Sequence, residues 1–165
     1  MLAQTLARHF AIPHIELDAL YWGPKWIPNA DFAERVDQAT RGPAWVAEGN
    51  FSRVRPLVWG RAETLIWLDY DLLLILWQLT RRAVRRILTR EELWNGNREE
   101  WHHYLMPDTL HLWALKTYWR RRREYPAALR QPEYAHLQVM RFCSPQATKA
   151  WLANGIGNKT PLSHA

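Results

Sequence analysis

The sequence holds a single cysteine, Cys143. One cysteine excludes an internal disulfide and a thiolate zinc site, and it suits a reducing compartment, so a cytoplasmic protein is expected. Cys143 reads as a small buried hydrophobe rather than a nucleophile. Lysine is also scarce, with four against 18 arginines. Long apolar runs are missing. The best candidate, Leu72–Leu79, is fenced by Asp69, Asp71 and Arg81, which excludes a spanning helix. The opening residues are amphipathic and soon interrupted by Arg8 and His9, so no signal peptide is expected. No glycine precedes Gly23 and no lysine precedes Lys25. There is no internal repeat and no Ser-His-Asp arrangement.

What is present points to one compact α/β domain. The chain has 165 residues, 48% apolar and 23% charged, enough to bury a core. The net charge is +6. Because arginine dominates it, partners carrying phosphate or other planar oxyanions are favoured. Eleven tryptophans promise aromatic packing without naming a function.

The pattern along the chain predicts alternating helices and strands. Leu2, Leu6 and Phe10 recur at helical spacing over residues 2–10. His14–Leu17 reads as a strand, followed by Asp18 and an aromatic loop. A helix capped by Asn29 or Asp31 runs to Thr40. Ala44–Ala47 is a second strand closed by Glu48-Gly49-Asn50, residues 54–61 form a short helix, and Thr64–Leu68 is a third strand. A helix follows from Asp71 to about Leu88. Residues 89–99 read as a polar loop or flap with a turn at Asn95-Gly96-Asn97. Pro107–Glu124 forms another helix, after which Pro126 and Pro132 interrupt regular structure. Leu137–Phe142 is a fourth strand, Ser144 caps a helix over Pro145–Ala153, and residues 155–165 form a frayed tail. Short strands, apolar on both faces and without hairpin signals, predict a three-layer α/β fold: a parallel sheet with helices on both faces.

In such sheets ligands bind at the carboxyl ends of strands. That rule selects Asp18, Glu48-Gly49-Asn50 and Asp69. Asp18 either holds a substrate or caps a turn. Gly49 permits close approach of a ligand, with Arg53 ready for an anion, or simply makes a strand-to-helix turn. Arg81, Arg82, Arg85, Arg86, Arg90 and Arg98 form a basic cluster that either meets a polyanion or is neutralised by Glu91, Glu92, Glu99 and Glu100. Arg120–Arg123 reads as a solvated helix end. The pairs Glu99/His102 and Glu100/His103 have a metal-ligand spacing, but no second copy accompanies them.

Taken together, the blocks Leu17-Asp18-Ala19-Leu20-Tyr21-Trp22 and Trp45-Val46-Ala47-Glu48-Gly49-Asn50-Phe51-Ser52-Arg53 resemble the topology modulation protein family. So do Leu68-Asp69, the Arg-rich helix, and Arg90-Glu91-Glu92-Leu93-Trp94 with Gly96-Asn97-Arg98-Glu99. That family belongs to the adenylate-kinase-like P-loop NTPases, and the likeness runs to about Asn154. The resemblance implies a five-stranded parallel sheet and ATP-dependent phosphoryl transfer to a small phosphate acceptor, with ATP and Mg2+ as cofactors. It implies a single domain over 1–154 with a flap at about 86–106. Asp18, Arg82, Arg86, Arg90 and Arg98 then take catalytic roles, with the arginines steadying phosphate oxygens. Gly49, Asn50 and Arg53 form the acceptor-side loop, and Glu48 reaches magnesium through water.

The chain departs from that pattern in two places. Gln78 stands where relatives often carry an arginine. The first strand and the G-x-x-x-x-G-K-[ST] loop, which cradle the triphosphate in the family, have no counterpart. The expectation is therefore a chain missing a central strand, impaired in phosphoryl transfer. A second expectation is an Arg-rich, non-enzymatic nucleic-acid binder acting on DNA. A third has Leu72–Leu79 and the following arginines lying on an anionic membrane.

Overall fold

The computed structural model describes residues 2–100 and 110–154. In it the chain is α/β, mostly helical, with two small parallel sheets. It divides into two compact units. The first comprises residues 1–62 and 91–98, and the second residues 63–90 and 99–165.

In the first unit, α1 (Leu2–Phe10) leads into β1 (His14–Glu16), which pairs in parallel with β2 (Val46–Glu48). A short helix, α2 (Leu17–Tyr21), follows β1 directly where an aromatic loop was expected. Tyr21 is held in that helix because it packs on Phe32 and Phe51 at 5.1 and 4.7 Å between ring centres, and the loop with Gly23, Pro24 and Pro28 begins only after it. These rings, with Ile15, Leu17, Val36 and Val54, make the core. Phe32 and Val36 on α3 (Phe32–Ala39) are fully buried, each worth about 1.5–3 kcal/mol. The carboxylate of Asp31 does not cap α3. It takes the guanidinium of Arg35 instead, at 2.8 Å. The end of α3 is tied to the end of α4 (Arg55–Arg61) by Arg61, which donates to Asp37 at 2.6 Å and to the Thr40 hydroxyl at 2.8 Å.

Two turns of like design complete this unit. Each is a single 3-10 turn, Pro24–Trp26 and Trp94–Gly96, with left-handed backbone at Lys25, Trp26 and Asn95. Each is closed by one antiparallel bridge, Trp22 to Pro28 and Glu92 to Arg98. Buried Asn97 joins them. Its amide nitrogen donates to the Gly23 carbonyl at 2.8 Å, and its oxygen accepts from the Trp26 amide at 2.9 Å.

In the second unit, β3 (Thr64–Leu68) pairs in parallel with β4 (Gln138–Phe142). Around them stand α5 (Leu72–Thr89), α6 (Leu110–Ala128) and α7 (Pro145–Asn154). Asp71 caps α5 by accepting from the Leu73 amide at 2.9 Å. Ser144 caps α7 through the Ala147 amide at 3.1 Å. Pro126 does not end α6, which runs on two residues further. A proline removes only one helical hydrogen bond, and buried Tyr125 anchors the turn that contains it. Cys143 is exposed rather than buried, since it lies just past the last residue of β4.

β2 and β3 are mostly half-buried and β4 is largely exposed, so these strands are not enclosed on both faces. Each has one partner among the described residues. The expected Pro107 helix start, His102 and His103, the flap beyond Glu100 and the tail at 155–165 lie outside the described residues.

Candidate functional site

The carboxyl ends of β1 and β2 gather most of the polar residues singled out in the first unit. The register sets Glu16 beside Glu48, so both strands leave the sheet at one level. Asp18 falls in the first turn of α2, where its carbonyl accepts from the Trp22 amide at 2.9 Å. After Glu48 the chain turns at Gly49, whose φ of +129° is closed to residues with a side chain. A Cβ there would stand 2.7 Å from that of Leu17. The glycine is thus required by the close passage of the two strand exits. Asn50 is half-buried, and Arg53 is exposed on the short 3-10 turn Ser52–Val54. Arg98, also in this unit, is exposed and lies 3.5 Å from Glu92.

Arg82, Arg86 and Arg90 belong to the second unit. Arg86 is buried and pairs with Glu99 at 3.0 Å. Neutralisation by a neighbouring glutamate, one of the two alternatives for this cluster, is what the structure shows at this position. Arg82 is half-buried on α5. Arg90 is the left-handed residue, φ +47°, that ends α5, its amide donating to the Ile87 carbonyl at 3.2 Å.

Asp69, at the carboxyl end of β3, has a structural partnership. It is buried, and it accepts from Arg122 at 2.7 Å and from Arg141 at 2.9 Å. Burial pushes its carboxyl up, but the two guanidiniums outweigh this and hold it below the usual carboxylate range. The surface hollow lined by Thr40, Arg41, Gly42, Pro43, Trp45 and Arg61 contains none of the candidate residues.

Beside Glu48, one of the expected residues, stand two that sequence reasoning missed, His14 and Glu16. His14, Glu16 and Glu48 bring one ligand atom each within 4.8 Å of one another. The signal was the His-x-Glu alternation, which places both side chains on one face of a strand. Bringing these two to Glu48 needed the register of a neighbouring strand, Glu16 opposite Glu48, which the sequence pattern does not disclose.

No protein-family model matches this chain, and no curated protein or solved structure is significantly similar to it.

Proposed function

We propose that this chain carries the acceptor side of an adenylate-kinase-like phosphotransferase domain. The carrying observation is the parallel pair β1–β2, with Asp18 and Glu48-Gly49-Asn50 at its carboxyl ends and a glycine required at the exit. That is the position where open α/β sheets bind ligands, and these residues carry the family resemblance. In this reading Gly49, Asn50 and Arg53 receive a small phosphate acceptor. Arg98, in the same unit, supplies positive charge toward phosphate oxygens.

The residues present do not fit a triphosphate with magnesium. No G-x-x-x-x-G-K-[ST] loop occurs in the sequence, so neither the amide cradle nor the hydroxyl that holds the ion is supplied. The residues present therefore support acceptor binding and not the transfer itself. Calorimetric titration with ATP and Mg2+ tests the reading. The chain itself is expected to give no binding heat, and a version with a strand and glycine-rich loop added before Leu2 is expected to bind. Failure of the extended version overturns the proposal.

One observation favours a second reading, binding of nucleic acid. Exposed Trp77 and Trp113 carry stacked arginines, Arg81 at 5.5 Å and Arg121 at 4.3 Å from the ring centres, a pairing used on single strands. Steeply salt-dependent retention on DNA would favour this reading over the first.

A further inference from the structure

The face of the β1–β2 pair opposite the core carries an arrangement that the kinase reading does not use. Ile15 points into the core and is buried, so strand alternation sends His14 and Glu16 to the other face. Pairing sets Glu48 directly across from Glu16 on that face. Two like charges directly opposite in a sheet are destabilising. Among the described residues no lysine or arginine pairs with either carboxylate, and the side chain beside them is the His14 imidazole. The imidazole serves them poorly as an ion pair. Its Nδ1 lies 3.8 Å from Glu16 Oε1, and its Nε2 lies 3.3 Å from Glu48 Oε1. Nε2 is shielded from solvent and makes no hydrogen bond, because the carboxylate is out of line.

We propose that His14, Glu16 and Glu48 form a binding site for a divalent transition-metal ion of the zinc type. One imidazole nitrogen and two carboxylate oxygens hold the ion, and one position stays open to an oxygen ligand from solvent or substrate. The donor set argues for that class. Imidazole suits zinc and its neighbours, whereas magnesium and calcium take oxygen donors. Zinc bound at about 2.1 Å to each donor sets neighbouring donors about 3.4 Å apart. The Nε2–Oε1 separation is already close to that. The outer shell is supplied as well. Trp94 donates its indole N–H to Glu16 Oε2 at 2.7 Å, leaving Oε1 for the ion and fixing the carboxylate's orientation. The side chains of Glu16 and Glu48 are 35 and 28% exposed and that of His14 is 17% exposed, so the two carboxylates are open to solvent on this face. This inference does not rest on the kinase reading, in which Glu48 meets magnesium only through water.

The test is thermal unfolding of the full chain with Zn2+, accompanied by Co2+ absorption spectroscopy. Zinc at about a hundred times its Kd is expected to raise Tm by roughly 5–10 °C, with one Co2+ per chain in a low-coordinate visible spectrum. His14→Gln and Glu48→Gln should each weaken binding at least tenfold, while His9→Ala, an exposed histidine outside the cluster, should not. Glu48→Gln also guards against misfolding: it removes the like-charge pair at constant shape, so its metal-free Tm should rise. The proposal is overturned if zinc has no effect, if both variants keep the wild-type response, or if Mg2+ matches Zn2+. It is equally overturned if Glu48→Gln lowers the metal-free Tm while the zinc response persists, the result expected of a plain ion pair.

Discussion

At the scale of single residues, Asp69 shows how a strand-end carboxylate becomes structural. It follows a strand, as Asp18 does, but its side chain is 3% exposed and bound by two guanidiniums. Its carboxyl titrates lower in the folded chain than in the unfolded one. The stability it contributes is therefore complete above about pH 4 and lost as pH falls through the lower folded value. Replacing it by asparagine removes the charge shared by Arg122 and Arg141. Both arginines keep access to water, so the expected loss is about 1–3 kcal/mol near neutral pH. Urea denaturation should show the gap between wild type and Asp69→Asn closing as the solution is acidified. A gap that persists unchanged in acid would mean that the ion pairs contribute nothing.

At the scale of elements, the two facing turns of the first unit depend on one side chain. Asn97 makes three hydrogen bonds, to the Gly23 carbonyl, the Trp94 carbonyl and the Trp26 amide, while 4% exposed. Asn97→Ala removes all three side-chain hydrogen bonds while the backbone amide of residue 97 still reaches the Trp94 carbonyl at 3.3 Å, and the expected cost is about 2–4 kcal/mol. Hydrogen exchange should localise the effect, with the Trp26 amide losing protection before the β1–β2 amides. Equal loss in both places would contradict it. The turn at Asn95-Gly96-Asn97 was legible from composition. Its docking onto the Gly23 loop was not, because a hydrogen bond across 74 residues leaves no local trace. The extent of α6 was also misread, since Pro126 is a stop signal locally and the packing of Tyr125 overrides it.

At the scale of the whole molecule, each two-stranded sheet leaves edges with unpaired backbone groups among the described residues. Leu68 and Val139 add exposed apolar surface, 40% each, to β3 and β4. Such edges invite pairing with another chain. Sedimentation velocity should show association that grows over micromolar concentrations, and Val139→Lys should suppress it by placing a charge on the strand. A single monomeric boundary up to about 100 µM would show the edges to be protected.

Periodicity by itself determined the local elements of this protein. The apolar spacing of Leu2, Leu6 and Phe10, the run Thr64–Leu68 and the capping serine at 144 each express a preference within a few neighbouring residues, and each element forms. Only the tertiary structure decided what lies side by side. The register that sets Glu16 against Glu48, the glycine demanded where Leu17 passes Gly49, and the burial of Arg86 against Glu99 all join residues far apart in the chain. Strand pairing and side-chain packing choose among many partners of similar local preference, and that choice is made by the folded whole.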